Sequence, residues 1–212
     1  AMLKGMLNVT RLLCGKVTPG DQLRYGEAAA HPQAIRSQGV HYRPIVVWNV
    51  TRRCNLHCAH CYMDAFDREF PGELTNQEAH ALIDDLAEFG APVLLFSGGE
   101  PLTRPDLLPL ASYAAGKGLH TVLSSNGILI TREIAQDLKD AGISYAGISI
   151  DGTEKVHDRF RGKKGAFQET LQGIRNLQEA GVRTGLRCTI TRFNLHDIDA
   201  IFDLVERENI QR

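Results

Sequence analysis

From Pro44 onward the chain alternates between short, mainly apolar runs and longer runs whose apolar residues return every three or four positions. The short runs, 45–50, 92–97, 119–124, 145–150 and 185–191, have strand length and are rich in Val, Ile and Leu. The longer runs read as helices. In 75–89, Leu82, Ile83, Leu86 and Phe89 share one face, Thr75 and Glu78 stand at capping-box spacing, and Gly90 supplies a stop. Residues 105–116 place Pro105 in a first turn, 131–141 close on Gly142, 166–180 close on Gly181, and 195–209 form the last helical run. Strand and helix repeat every 25–35 residues or roughly so, the pattern of parallel βα units. Strands apolar on both faces predict a sheet covered by helices.

In folds of this kind the chemistry collects at the carboxyl ends of the strands. The distinctive polar segments all fall there. Cys54-Asn55-Leu56-His57-Cys58-Ala59-His60-Cys61 follows the first strand and Ser97-Gly98-Gly99-Glu100-Pro101 the second. Ser124-Ser125-Asn126-Gly127 follows the third and Ser149-Ile150-Asp151-Gly152 the fourth. The most basic run, 157–164, also follows the fourth strand, and reads either as a solvated loop or as a receiver for a polycarboxylate substrate. Arg52 and Arg53 flank the cysteines, as cations of the site or as a solvated pair. Residues 1–43 read as a turn-rich N-terminal extension ahead of a core domain, 44–212, and Ile210-Gln211-Arg212 as the beginning of a further strand.

At 212 residues the chain can bury one ordinary core. Its formal net charge of −1 gives no global field toward nucleic acid or an anionic membrane. No apolar run has the length of a membrane span, and no long apolar signal region opens the chain, so a cytoplasmic, reducing location is expected. No GxGxxG, P-loop or GxSxG string is present.

The three thiols at Cys54, Cys58 and Cys61 lie within eight residues. Thiolate is a soft ligand that suits zinc, copper or iron–sulfur centres. A structural zinc wants four Cys or His ligands in two separated pairs, and His57 and His60 lie inside the same short turn. A disulfide suits an oxidising compartment, and the other two of the five cysteines, Cys14 and Cys188, are far away in sequence. Three cysteines on a four-iron cube leave one iron open for chemistry.

The three-then-two spacing, followed by Gly98-Gly99-Glu100-Pro101, resembles the radical S-adenosylmethionine (SAM) superfamily. The resemblance implies a partial (βα)6, TIM-like α/β barrel carrying a [4Fe–4S] cluster on Cys54, Cys58 and Cys61. The open iron would chelate SAM, whose reductive cleavage yields a 5′-deoxyadenosyl radical. It also implies a SAM site made by His60, Gly98, Gly99, Glu100, Ser125, Asn126, Ser149 and Asp151, with Glu100 in support. For Ser125 and Asp151 a turn-forming role stands beside the ligand role.

Four longer segments extend the resemblance: WNVTRRCNLHCAHCY, the run from Gly72 to Leu102, LSSNGILI, and GISIDGTEKVHDRFRGKKGAF. They are similar to the tetrapyrrole-tailoring members of the siroheme-dependent heme and heme d1 routes, most of all to didecarboxysiroheme deacetylases. That similarity implies removal of acetate side chains from an iron tetrapyrrole, driven by a reduced flavodoxin or ferredoxin-type donor. The alternatives are a coproheme propionate decarboxylase, side-chain removal toward heme d1, a peptide maturase, and a cluster-binding scaffold without SAM chemistry. It further implies a C-terminal domain with a second iron–sulfur cluster, so the chain is expected to be a fragment lacking that domain and the last barrel strand.

Overall fold

The computed structural model describes residues 43–211. The expected N-terminal extension lies outside the described residues but for Arg43, and Cys14 lies outside with it. Five parallel strands stand side by side in chain order: β1 (Val46–Thr51), β2 (Val93–Gly98), β3 (His120–Ser125), β4 (Tyr145–Ser149) and β5 (Arg183–Arg187). The intervening helices are α1 (Asn76–Phe89), α2 (Leu107–Gly116), α3 (Arg132–Asp140), α4 (Glu154–Arg161) and α5 (Ala166–Glu179), with α6 (Ile198–Arg207) after β5. A strand order that follows the sequence winds in one direction, as a barrel wall does, whereas a doubly wound sheet reverses. Among the described residues β1 and β5 do not pair, so the wall stays open.

Local signals place the elements. The Thr75 hydroxyl accepts from the Glu78 amide while the Glu78 carboxylate accepts from the Thr75 amide, completing the capping box of α1, and Gly90 ends that helix at φ 78°. Thr131 caps α3 through the Ile134 amide. α2 begins two residues later than the proline predicts. The Asp106 carboxylate, which would cap it, is taken by Arg104 at 2.6 Å and Asn76 at 2.9 Å. β5 runs earlier than 185–191, and the stretch after Arg187 leaves the sheet, with the Thr189 amide bonded to Asp151. Ile210 is buried in the core, and residues 210–211 form no strand.

Two expectations fail in an instructive way. The second face of the sheet is apolar only in part. Leu94, Phe96, Leu123, Ala146 and Ile148 are fully buried and pack with Ile83, Leu110, Leu138 and Ile174 of the helices. Strand alternation and the register put Asn49, Ser97, Ser124, Ser149 and Arg187 on the other face, where all are at least partly exposed. The hydrophobic core therefore lies between sheet and helices, and the second face is small and polar toward the carboxyl ends of the strands, while Val47, Leu95, Val122 and Tyr145 keep the rest of it apolar. The basic run 157–164 is likewise no loop: most of it is the last part of α4, with His157, Phe160 and Arg161 buried.

Adjacent residues of β3 should separate the two faces. Leu123→Ala is expected to cost about 2–5 kcal/mol through the cavity it leaves, and Ser124→Ala within about 0.5 kcal/mol of zero. Equilibrium urea unfolding of the two variants checks this.

Candidate functional site

The chain leaving β1 turns across the carboxyl end of the sheet and carries Cys54, Cys58 and Cys61, all free thiols. Backbone contacts fix its path. The Cys54 amide donates to the Phe66 carbonyl (3.1 Å), Cys61 to Cys58 (3.1 Å) and Ala59 to Phe160 of α4 (2.8 Å). Cys54, Leu56 and Ala65 form a small apolar cluster joined by Met63 and Ile128. Cys54 is buried, Cys58 half-buried and Cys61 exposed, so the thiols step outward from core to surface.

The two glycines after β2 hold this segment from one side. The Gly99 amide donates to the Thr51 carbonyl and the Glu100 amide to Arg53, both at 2.8 Å. A Cβ on Gly98 would collide with the Thr51 carbonyl, and one on Gly99 with the carbonyls of Arg53 and Arg52, the latter at 2.7 Å. Gly98 also sits at φ 132°, a conformation side chains resist. What approaches the Gly-Gly pair so closely is the chain's own backbone.

Glu100 ties β2 to β3. It is 0% exposed, and its carboxylate accepts from the Ser125 hydroxyl (2.9 and 3.0 Å), the Asn126 amide (2.8 Å) and the Leu102 amide (3.2 Å). Burial pushes its pKa up to about 7 against the pull of those donors. Ser125 also accepts from the Gly127 amide, and Asn126 reaches Asn55 beside Cys54 (2.7 Å) and accepts from Ile128 (3.0 Å). Ser125, expected at the cofactor, is buried and engaged within the protein, the turn-forming role. Asn126 links the β3 turn to the cysteine segment.

Asp151 and His60 meet on the other side. Asp151 is 0% exposed; one oxygen accepts from the Thr189 amide (3.0 Å) and the other lies 2.6 Å from Arg161 Nη2, a contact of charges rather than an aligned hydrogen bond. His60 Nε2 is 3.6 Å from that second oxygen, and the His60 ring lies against Phe160. Burial lowers the His60 pKa; Asp151 raises it and Arg161 lowers it by smaller amounts. The Asp151 amide donates to His157 Nδ1 (3.2 Å), and burial first, then Arg161, hold His157 down to about 4. Ser149 stands half-buried on the open face, paired in register with Arg187.

Several cations have structural employment. Arg52 lies over Phe70 and donates to the Met63 carbonyl (3.2 Å), and Arg53 pairs with Asp67 (2.7 Å). These flanking arginines brace the loop, the solvated-pair expectation in a more specific form. Lys163 pairs with Glu169. Arg104, which the sequence did not single out, is buried and donates to the carbonyls of Val50 and Leu74, both at 2.9 Å, fastening the end of β1.

The cysteines fit a cluster. Burial raises the Cys54 thiol to about 11; it also raises Cys58, against the opposing pull of Arg161. Such thiols ionise readily only when a metal supplies the positive charge. Among the described residues no three His, Cys, Asp or Glu side chains close on a single-ion position. A cube instead draws separate thiolates to separate irons, which suits three cysteines spread along one loop.

A family model for the radical SAM superfamily matches residues 48–205. The chain belongs to the radical SAM superfamily. It is 53% identical over 208 residues to the Fe-coproporphyrin III synthase of Methanosarcina barkeri, covering 98% of this chain and 52% of that protein. It is 44% identical to the AdoMet-dependent heme synthase of Nitratidesulfovibrio vulgaris, covering 84% of this chain and 49% of that protein. The chain thus spans about half the length of these relatives. The crystal structure of Streptococcus suis SuiB bound to S-adenosylmethionine superposes with TM-score 0.68 at 16% identity, over 94% of this chain and 46% of that one, a likeness of fold.

In this radical SAM core the sequence missed Arg104 and Arg187, and it placed Arg161 in a run with no buried partner. A buried arginine carries no periodicity, and neither reading of the basic run, solvated loop or substrate receiver, included a helix that buries one.

Glu100 gives a pH signature. Its folded pKa lies above the usual carboxyl value of 4.5, so between pH 4.5 and 7 the folded state holds more of its proton than the unfolded state. Its contribution is full below that window and is lost as the pH rises through it. Glu100→Gln, which cannot titrate, should therefore be penalised less, relative to wild type, at pH 7.5 than at pH 4.5, by about 2–3 kcal/mol. Chemical denaturation of both proteins at the two pH values reads the difference.

Proposed function

We propose that this chain is the core of a radical SAM enzyme that removes acetate side chains from an iron tetrapyrrole, didecarboxysiroheme. Cys54, Cys58 and Cys61 would hold a [4Fe–4S] cluster. The Gly98–Gly99 backbone, Ser149 and His60 would meet SAM directly, while Glu100, Ser125, Asn126 and Asp151 keep that frame in place. When bound, cluster and SAM together supply a 5′-deoxyadenosyl radical that takes a hydrogen atom from the substrate. The chain's own part is positioning, because hydrogen transfer needs the reacting carbon held close to its acceptor.

The observation that carries the reading is the juxtaposition of a three-cysteine loop with a polar row at the carboxyl ends of the strands. Ser97, Ser124 and Ser149 belong to that row, and the Arg187 side chain lies across Gly147, where a Cβ would strike its guanidinium. Arg187 has no ion-pair partner among the described residues, and a guanidinium suits the carboxylates on a tetrapyrrole rim. It replaces Arg161 and Lys163, which are paired internally, as the candidate substrate anchor. The 53% identity to an Fe-coproporphyrin III synthase over nearly the whole chain supports the tetrapyrrole class. The 44% identity to an AdoMet-dependent heme synthase keeps propionate decarboxylation of coproheme as the second reading. A flavodoxin or ferredoxin-type donor and a second iron–sulfur cluster belong to the same proposal for the complete protein.

Anaerobic reconstitution tests the cluster. Alanine at Cys54, Cys58 and Cys61 together should abolish the visible charge-transfer absorption of this site, and alanine at Cys188 should leave it; a full cube in the triple variant refutes the ligand set. Activity tests the substrate: reduced complete protein, SAM and didecarboxysiroheme should give 5′-deoxyadenosine with a product lighter by its acetate groups. Arg187→Glu should weaken substrate binding about tenfold or more while SAM cleavage by dithionite persists, as expected for loss of a charge-assisted contact. Loss of carbon dioxide from coproheme instead selects the decarboxylase reading.

A further inference from the structure

Arg161, in the last turn of α4, is 8% exposed and points away from solvent into the cysteine loop. Its Nη1 donates to Cys58 Sγ at 3.7 Å, and its Nη2 lies 2.6 Å from Asp151 Oδ2. A buried guanidinium is costly unless an anion faces it, and Asp151 is that anion. Asp151 is in turn immobilised by the Thr189 amide on its other oxygen, and by Asn194 Nδ2, which donates to its carbonyl at 2.8 Å. α4 cannot back away. The Ala59 amide is bonded to the Phe160 carbonyl, and a Cβ on Gly162 would come within 2.6 Å of the His57 carbonyl. One edge of the guanidinium therefore faces a carboxylate and another faces a cysteine sulfur, inside the protein.

We propose that Arg161 and Asp151 set the reduction potential of the cluster held by Cys54, Cys58 and Cys61, Arg161 raising it and Asp151 limiting the rise. The inference rests on the reading of the three cysteines as a [4Fe–4S] site. Reduction brings in one electron from an external low-potential donor and makes or breaks no bond. The added negative charge spreads onto the sulfurs, where an N–H donor and a positive charge stabilise it, and low local polarity strengthens both effects. A carboxylate behind the guanidinium opposes them. A merely structural pair gives no reason for the two substitutions to move the potential in opposite directions.

The test is an EPR-monitored potentiometric titration of the complete protein, reconstituted anaerobically, with iron and sulfide analysis and circular dichroism on the same samples. In Arg161→Gln the reduced-to-oxidised ratio at the wild-type midpoint should fall about tenfold, a shift of about 59 mV downward for a one-electron couple. In Asp151→Asn it should rise, and Arg161→Lys should lie between wild type and Arg161→Gln. If Arg161→Gln loads no cluster, the near-isosteric Asp151→Asn decides alone. Shifts of the same sign, or no upward shift in fully loaded Asp151→Asn, overturn the proposal while the cluster reading stands. Failure of the wild type to bind the cube overturns both.

Discussion

The carboxyl face of the sheet depends on one constraint: the backbone leaving β1 is clamped between two other backbones. On one side Gly98 and Gly99 leave no room for a Cβ against residues 51–53. On the other, the end of α4 meets His57 and Ala59 through Gly162 and the Phe160 carbonyl. Hydrogen bonds at 2.8 Å close both contacts. A loop with three cysteines has little apolar surface of its own, only the small cluster around Leu56 and Ala65. Its path is set by backbone fit to neighbours more than by burial, and that fit is available only to glycine.

Buried charge is organised around the same loop. Glu100 is satisfied by four donor contacts from the turns after β2 and β3, and Asp151 by Arg161 and Thr189. Each carboxylate is fully buried, and each joins segments that follow different strands. Such groups stabilise only when their partners are all in place, so they favour one arrangement of the four strand ends over near alternatives. The cysteine segment is connected to both, through Asn126 and Asn55 on one side and Arg161 on the other.

The one-sided core gives this radical SAM chain two unlike sheet faces. Among the described residues the helices pack on the face that carries Leu94, Phe96, Leu123 and Ile148. The other face keeps serines, two glycines paired on β4 and β5, and an arginine laid over one of them. The glycines there make room for side chains of the face itself: Tyr145 lies over Gly185 and Arg187 over Gly147. A crevice among Gly152, Thr153, Phe167, Asp203, Leu204 and Arg207 opens behind the turn after β4, with none of the three cysteines in its lining.

The alternation of apolar and amphipathic runs by itself determined the parallel βα order, because strand and helix periodicities are local and five units repeat them. The capping box at Thr75 and Glu78 and the stop at Gly90 were equally local, and the structure reproduces them. The cysteine spacing and Gly98-Gly99-Glu100 marked the face where the site lies, since both follow strand ends. Tertiary structure alone decided which polar residues stand on the open face and which are bonded within the frame. Ser125 and Asp151 carry the same side chains in either role, and only the proximity of Glu100 and Arg161, 25 positions before the one and ten after the other, commits them inward. It alone decided that 154–161 is a helix, whose short, highly charged sequence is held in place by burial of His157, Phe160 and Arg161. The sidedness of the sheet was likewise invisible in sequence, because Ser, Gly and Arg on the inner rows interrupt the apolar runs too seldom to register as alternation.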